Sequence, residues 1–177
     1  MNVGGVVPAL AVAVAVGAAI TDVKERRIPN RLTYSAIVGG FVLQATLHGW
    51  KGLLFSAGGV LFFGGVFLLF YMVRAMGAGD VKLAAALGGI VGSSAALPVM
   101  FATALAGAAL AVFLMVVSGR VVEILRNTLS VTVFHLQHGL QVHPLVNLDN
   151  PRGIRMPYGL AFAAGTMYWA VSSAFWR

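Results

Sequence analysis

The chain has 177 residues, of which 59% are hydrophobic and only 10% charged. An average soluble domain carries about a quarter charged residues, so there is too little polar surface here to cover a soluble globule. Twelve Lys and Arg against five Asp and Glu give a net charge of +7, and the lack of cysteine excludes disulfides and thiolate zinc sites.

Six apolar stretches follow one another: Val3–Thr21, Leu32–Leu47, Gly52–Val73, Val81–Ala96, Leu97–Ser118 and Pro157–Trp176. About 20 residues cross the hydrocarbon core as a helix. The pattern therefore predicts an all-α integral membrane protein, a single bundle of six transmembrane helices covering residues 1–177. The first stretch contains Ala-Val-Ala but lacks the positively charged start of a secretory signal, so it reads as a retained helix. The second and fourth are slightly short. The boundary between the fourth and fifth falls near Gly92–Pro98.

Between Gly119 and Met156 lies the one long connection. Its first part, Val121–Leu140, mixes Val, Ile, Leu and Phe with Arg, Glu, Asn and His, which predicts an amphipathic helix on the membrane surface. Pro144, Asn150-Pro151 and Gly153 mark the rest as loop.

Loop charge predicts orientation. Lys24, Arg26, Arg27 and Arg31 follow the first stretch, Arg74 and Lys82 follow the third, and Arg120, Arg126, Arg152 and Arg155 precede the last. In a six-helix chain all of these fall on one side, and only Lys51 and Arg177 fall on the other. Positive charge marks the cytoplasmic side, so both termini are expected outside. These cations are read as topology signals and lipid head-group contacts, not as a nucleic-acid patch. All five acids, Asp22, Glu25, Asp80, Glu123 and Asp149, fall on the same side. Asp22 and Asp80 abut the ends of apolar stretches.

Ionisable groups at membrane depth are costly and are functional candidates by default. Two carboxylates about 3 Å apart cannot both ionise easily, so one serves as base and the other keeps its proton as acid. Peptide hydrolysis needs that division of labour. Around Asp80 the run is Met76-Gly77-Ala78-Gly79-Asp80-Val81-Lys82. Its glycines offer unusual backbone angles and room for an extended peptide. Ala84, Gly88 and Gly92 recur every four residues, which suits close helix packing. Taken singly, Asp80 reads as a helix N-cap and Asp22 as a member of a charged juxtamembrane loop. Lys82 is two residues from Asp80 and does not face it on a helix. His135, His138 and His143 match no tetrahedral metal set and read as interfacial residues. No metal or cofactor is expected.

Gly77-Ala78-Gly79-Asp80 resembles the Gly-x-Gly-Asp motif of membrane aspartic proteases. Asp22-Val23-Lys24-Glu25-Arg26-Arg27-Ile28-Pro29-Asn30 resembles the first aspartate motif of type IV prepilin peptidases. Gly77–Lys82 matches their second motif, and Met156-Pro157-Tyr158-Gly159 resembles the start of their last helix. The resemblance implies catalysis by Asp22 and Asp80. It implies site-shaping or substrate-binding roles for Gly77, Gly79, Lys82, Lys24, Pro29, Asn30 and Pro157. It further implies cleavage of a basic leader from a prepilin-like protein at the cytoplasmic face of the inner membrane. Longer members add a cysteine-rich domain and methylate the new N-terminus; a chain without cysteine is similar to the short branch serving Flp (tight-adherence) pili or archaeal preflagellins, and methyl transfer is expected to be absent.

Other chemistries fit less well. The chain has no His-Glu-x-x-His for a zinc protease. Gly92-Ser93-Ser94-Ala95 fails the rhomboid pattern Gly-x-Ser-Gly. A presenilin-like peptidase has Tyr before its first Asp, where this chain has Thr21. A non-enzymatic proton- or cation-coupled transporter, or a secretion-system subunit, would also use membrane acids. Transporter acids lie near the midplane, however, not at helix ends.

Overall fold

The computed structural model describes residues 3–144, 146 and 156–175. Asp149, the Asn150-Pro151 and Gly153 loop signals, Arg152, Arg155, Trp176 and Arg177 lie outside the described residues. The described residues form six helices: α1 (Val3–Glu25), α2 (Asn30–Met72), α3 (Ala78–Val91), α4 (Ser93–Val117), α5 (Val121–His138) and α6 (Tyr158–Phe175). Among them α1, α2 and α4 hold stretches long and apolar enough to cross a membrane.

α1 runs on to Glu25, past the expected end at Thr21. Nothing in Asp22–Glu25 breaks a helix, and Lys24 in the last turn suits the negative end of the helix dipole. The helix stops where Arg26 turns left-handed (φ 51°), three residues before Pro29. Asp22 is therefore a helical residue, not the loop residue that sequence suggested.

α2 has 43 residues, which as a straight rod would extend about 65 Å, twice a bilayer core. It is not straight. Gly49 has φ 59° and ψ −139°, and a Cβ placed on Gly52 would lie 1.8 Å from the Gln44 carbonyl oxygen. The chain thus doubles back at Gly49. Its first half runs alongside α3 in the same direction, with Gly40 against Gly89. Its second half returns against α3, with Gly59 on Gly88 and Gly64 on Ala85.

α3 lies in the fork between these halves. Leu83, Ala84, Ala86, Leu87 and Ile90 are fully buried. Lipid is as apolar as leucine, so helices here associate by close packing and polar contacts, not by escape from water. Gly59 and Gly88 supply the packing: a Cβ on either would come within 2.2 Å of the other's carbonyl oxygen. Buried Gln44 donates to the Ile90 carbonyl at 2.7 Å, and buried Ser56 to the Gly89 carbonyl at 2.9 Å. α3 and α4 part at Gly92, whose φ of 76° suits glycine. The expected continuation of this helix to Ala96 is corrected accordingly.

α1 and α4 both pack on α6. Gly159 at the start of α6 meets Ala19 and Asp22, and Gly165 meets Thr103. Phe63 and Phe67 from α2 meet Phe162 of α6 at tilted angles and each other edge-on, ring centroids 5.1–5.9 Å apart. α5 has no buried residue. Its leucines and valines face outward, as an amphipathic surface helix requires. His143 is an exception to the interfacial reading of the histidines: it is buried, edge-on to Phe134 and hydrogen-bonded to Ser130.

Candidate active site

The end of α1, the start of α2, the end of α2, the start of α3 and the start of α6 all meet at one end of the bundle. Asp22 stands in the last turn of α1 and Asp80 in the first turn of α3. Both are half-buried. They line the same two cavities, each of about 450 Å³.

One cavity has a largely apolar wall of Val23, Ala75, Met76, Met156, Pro157 and Tyr158. The other is polar, walled by Glu25, Arg27, Asn30 and Lys82, with Ile28, Pro29 and Gly79. Asp22, Arg26, Gly77 and Asp80 belong to both, so the acids sit on the ridge between an apolar and a charged recess.

Each acid is held by a glycine N–H. The Gly159 amide donates to Asp22 Oδ2 at 2.8 Å, and the Gly77 amide donates to Asp80 Oδ2 at 3.1 Å. Asp80 is therefore not the N-cap that sequence suggested. Gly77 is the cap, and Asp80 three residues on reaches back to it, one half of a capping box. The glycines of this motif act through space, not through unusual angles. Gly77 is extended (φ −80°, ψ 155°) and Gly79 is helical, so the expectation of special backbone angles is corrected. A Cβ on Gly79 would touch the Ile28 Cβ at 3.3 Å, and one on Gly159 would come within 2.9 Å of the Asp22 Cβ.

Asp80 stands just ahead of the apolar stretch that begins at Val81. Burial pushes its pKa from 3.8 up to about 6; the Gly77 amide opposes this and the Asp22 charge adds to it. No group of three metal-ligating residues occurs among the described residues.

Of the residues singled out from sequence, Asp22, Asp80, Gly77, Gly79, Lys82, Pro29, Asn30 and Pro157 come together here. Lys24 is exposed and lines neither cavity. Lys82 turns from Asp80 towards Asn30, donating to its Oδ1 at 2.9 Å. Sequence reasoning missed the Gly159 amide as a partner for Asp22, 137 residues away, and Arg26 as a wall of both cavities. The left-handed backbone that directs Arg26 there costs about 1–2 kcal/mol for a non-glycine residue and left no trace in the sequence.

The model of the type IV leader peptidase family matches residues 9–112, more than half of the chain, and that span holds both acids. The chain belongs to this family. No curated protein and no solved structure matches it. Membership makes the chain a peptidase and, with its long apolar helices, a membrane protein. The leader-peptidase match ends within α4, so the contributions of α6 to the site, Tyr158 and the Gly159 amide, lie beyond it.

Proposed function

We propose that the chain is an aspartic endopeptidase that removes the leader of a prepilin-like, Flp-type precursor at the cytoplasmic face of the inner membrane. Asp22 and Asp80 are its catalytic pair. The observation that carries this reading is the ridge itself: two carboxyls from distant helices, one with a raised pKa, between two open recesses.

Burial favours a protonated Asp80, so this reading gives Asp80 the part of the acid and Asp22 that of the base. Asp22 takes a proton from water, and the hydroxide adds to the carbonyl carbon of the scissile bond. Asp80 gives its proton to the carbonyl oxygen. The intermediate then collapses: the C–N bond breaks, the amine leaves with the proton held by Asp22, and the other proton returns to Asp80. An extended substrate places residues on either side of the cut in the apolar and charged recesses. Gly77, Gly79, Pro29, Asn30, Lys82 and Pro157 shape those recesses; Lys24, in the last turn of α1, contributes charge to the cytoplasmic side.

The doubled-back α2 supplies two of six membrane spans in this reading, with α1, α3, α4 and α6 as the others and α5 on the cytoplasmic surface. Both termini then lie outside. Methyl transfer is not part of the proposal, since these 177 residues hold no cysteine. A transporter role is less favoured, since the family is a peptidase family and the acids stand at helix ends.

Co-expression with a Flp-type prepilin tests the function. Wild type is expected to shift the pilin to its shorter form on a gel, and Asp22→Asn and Asp80→Asn to leave it full length. Cleavage at the normal rate by either variant removes that residue from the mechanism. Mass spectrometry of the product should show an unmethylated N-terminus. The absence of cysteine makes topology simple to probe: in intact cells an impermeant maleimide should label Lys51→Cys and spare Lys24→Cys.

A further inference from the structure

We infer that Lys82 and Asn30 are positioning residues for the acid pair, their side-chain bond acting as a strut that fixes the first turn of α3 against the connection between α1 and α2. The inference rests on the peptidase reading given above.

Asp22 is anchored near the end of α1, and only Arg26–Pro29 separate α1 from the first residue of α2, Asn30. Pro29, with φ −63° and ψ 133°, stiffens that connection. Asp80 belongs to α3. The gap between the acids thus depends on how the α1–α2 connection sits on the start of α3. Two contacts join them at this end of the bundle. Ile28 packs over Gly79, where a Cβ would lie 3.3 Å from the Ile28 Cβ, and Lys82 Nζ donates to Asn30 Oδ1 at 2.9 Å.

The Ile28 contact resists approach but not separation. The Lys82 bond resists separation at the site end of α3, where Gln44 and Ser56 bond only its far end; it is directional and carries a charged donor. The ammonium also lies 5.2 Å from the centre of the Tyr34 ring, one turn along α2 from Asn30. The ring thus favours the same side-chain position that serves the bond. Lys82 is two residues from Asp80 and points elsewhere on the helix, so it reaches the chemistry only through the backbone that both share.

The test is a double-mutant cycle on purified enzyme in detergent with a prepilin substrate. Lys82→Met and Asn30→Ala are each expected to lower kcat by about tenfold to a hundredfold, the scale set by a misplacement of up to 1 Å, with KM unchanged. The double variant should be no slower than the slower single one, because both remove one bond. Lys82→Arg and Asn30→Asp, which keep a donor and an acceptor, should recover most of the rate. Melting temperature, followed in parallel, should stay near that of wild type in all of them. The strut is overturned if the two losses multiply, if KM rises while kcat holds, or if both single variants cleave at the wild-type rate. Wild type and Asp22→Asn are the controls: equal cleavage by these two means the peptidase reading has failed, whereas a normal difference between them with multiplying losses means that the strut alone has failed.

Discussion

α3 and α5 are helices of 14 and 18 residues that the bundle treats in opposite ways. α3 is enclosed on most of its surface and carries Asp80; α5 has no buried residue. Polarity is part of the difference, since α5 carries Glu123, Arg126, Asn127 and two histidines, yet it also leaves Val122, Leu125, Leu129 and Leu136 exposed. Small residues supply the rest. Gly88 and Gly89 let the halves of α2 approach to backbone contact, and the branched residues of α5 allow no such approach. In a membrane bundle, burial follows from what can fit, and the enclosed helix is the one that holds Asp80, the proposed acid, in place.

Adding one methyl group to the cradle is the strongest way to break that comparison. Gly59→Ala places a Cβ 2.0 Å from the Gly88 carbonyl oxygen, and backbone must move to accept it. It is expected to cost at least the upper part of the usual overpacking range of about 1–3 kcal/mol, seen as a large drop in melting temperature in detergent. Wild-type melting would mean that the fork around α3 is looser than its geometry implies.

Gly159→Ala acts at the site more than on the fold. Its Cβ would meet Asp22 at 2.9 Å and displace the acid from the amide that holds it. Leader cleavage should fall by about a hundredfold. A normal rate would show that Asp22 does not need the α6 terminus.

Asp80→Asn separates stability from activity. The folded chain holds the Asp80 proton up to a pH of about 6, while the unfolded chain releases it near 3.8. Between those values the folded state binds more protons, so stability falls as pH rises through this window and the loss remains above it. Asn carries no charge and can still accept the Gly77 N–H. The inactive variant should therefore melt above wild type at neutral pH, with the difference vanishing below about pH 4. A variant that melts lower at neutral pH would contradict the burial cost assigned to the Asp80 carboxylate.

The smallest effect belongs to α5. Leu136, 82% exposed, should tolerate Leu136→Ser with less than about 0.5 kcal/mol change in melting of the bundle. A larger loss would show that α5 is packed against a surface in the folded protein.

Much of the fold was legible because it follows from local chemistry. Apolar runs marked the helices, charge and polarity marked α5 as amphipathic, and Gly92 already stood at the expected junction of the fourth and fifth stretches. Both acids were legible from their flanking residues. Their surroundings were not. Asp22 read as a loop residue because a charged run was taken for a helix end, yet Asp, Val, Lys and Glu all continue a helix. Asp80 read as an N-cap, but the cap falls to Gly77, from which the Asp80 carboxylate takes its hydrogen bond.

The sequence by itself marked a membrane protein, its apolar stretches and two acids as candidates, because composition and spacing act over one or two helical turns. Only the tertiary structure decided that the two halves of α2 close around α3, that Gly159 holds Asp22, and that Lys82 reaches Asn30. The Lys82–Asn30 and Gly159–Asp22 bonds join residues 52 and 137 positions apart. They depend on which backbones can touch, a property of the packed bundle that no short window of residues encodes.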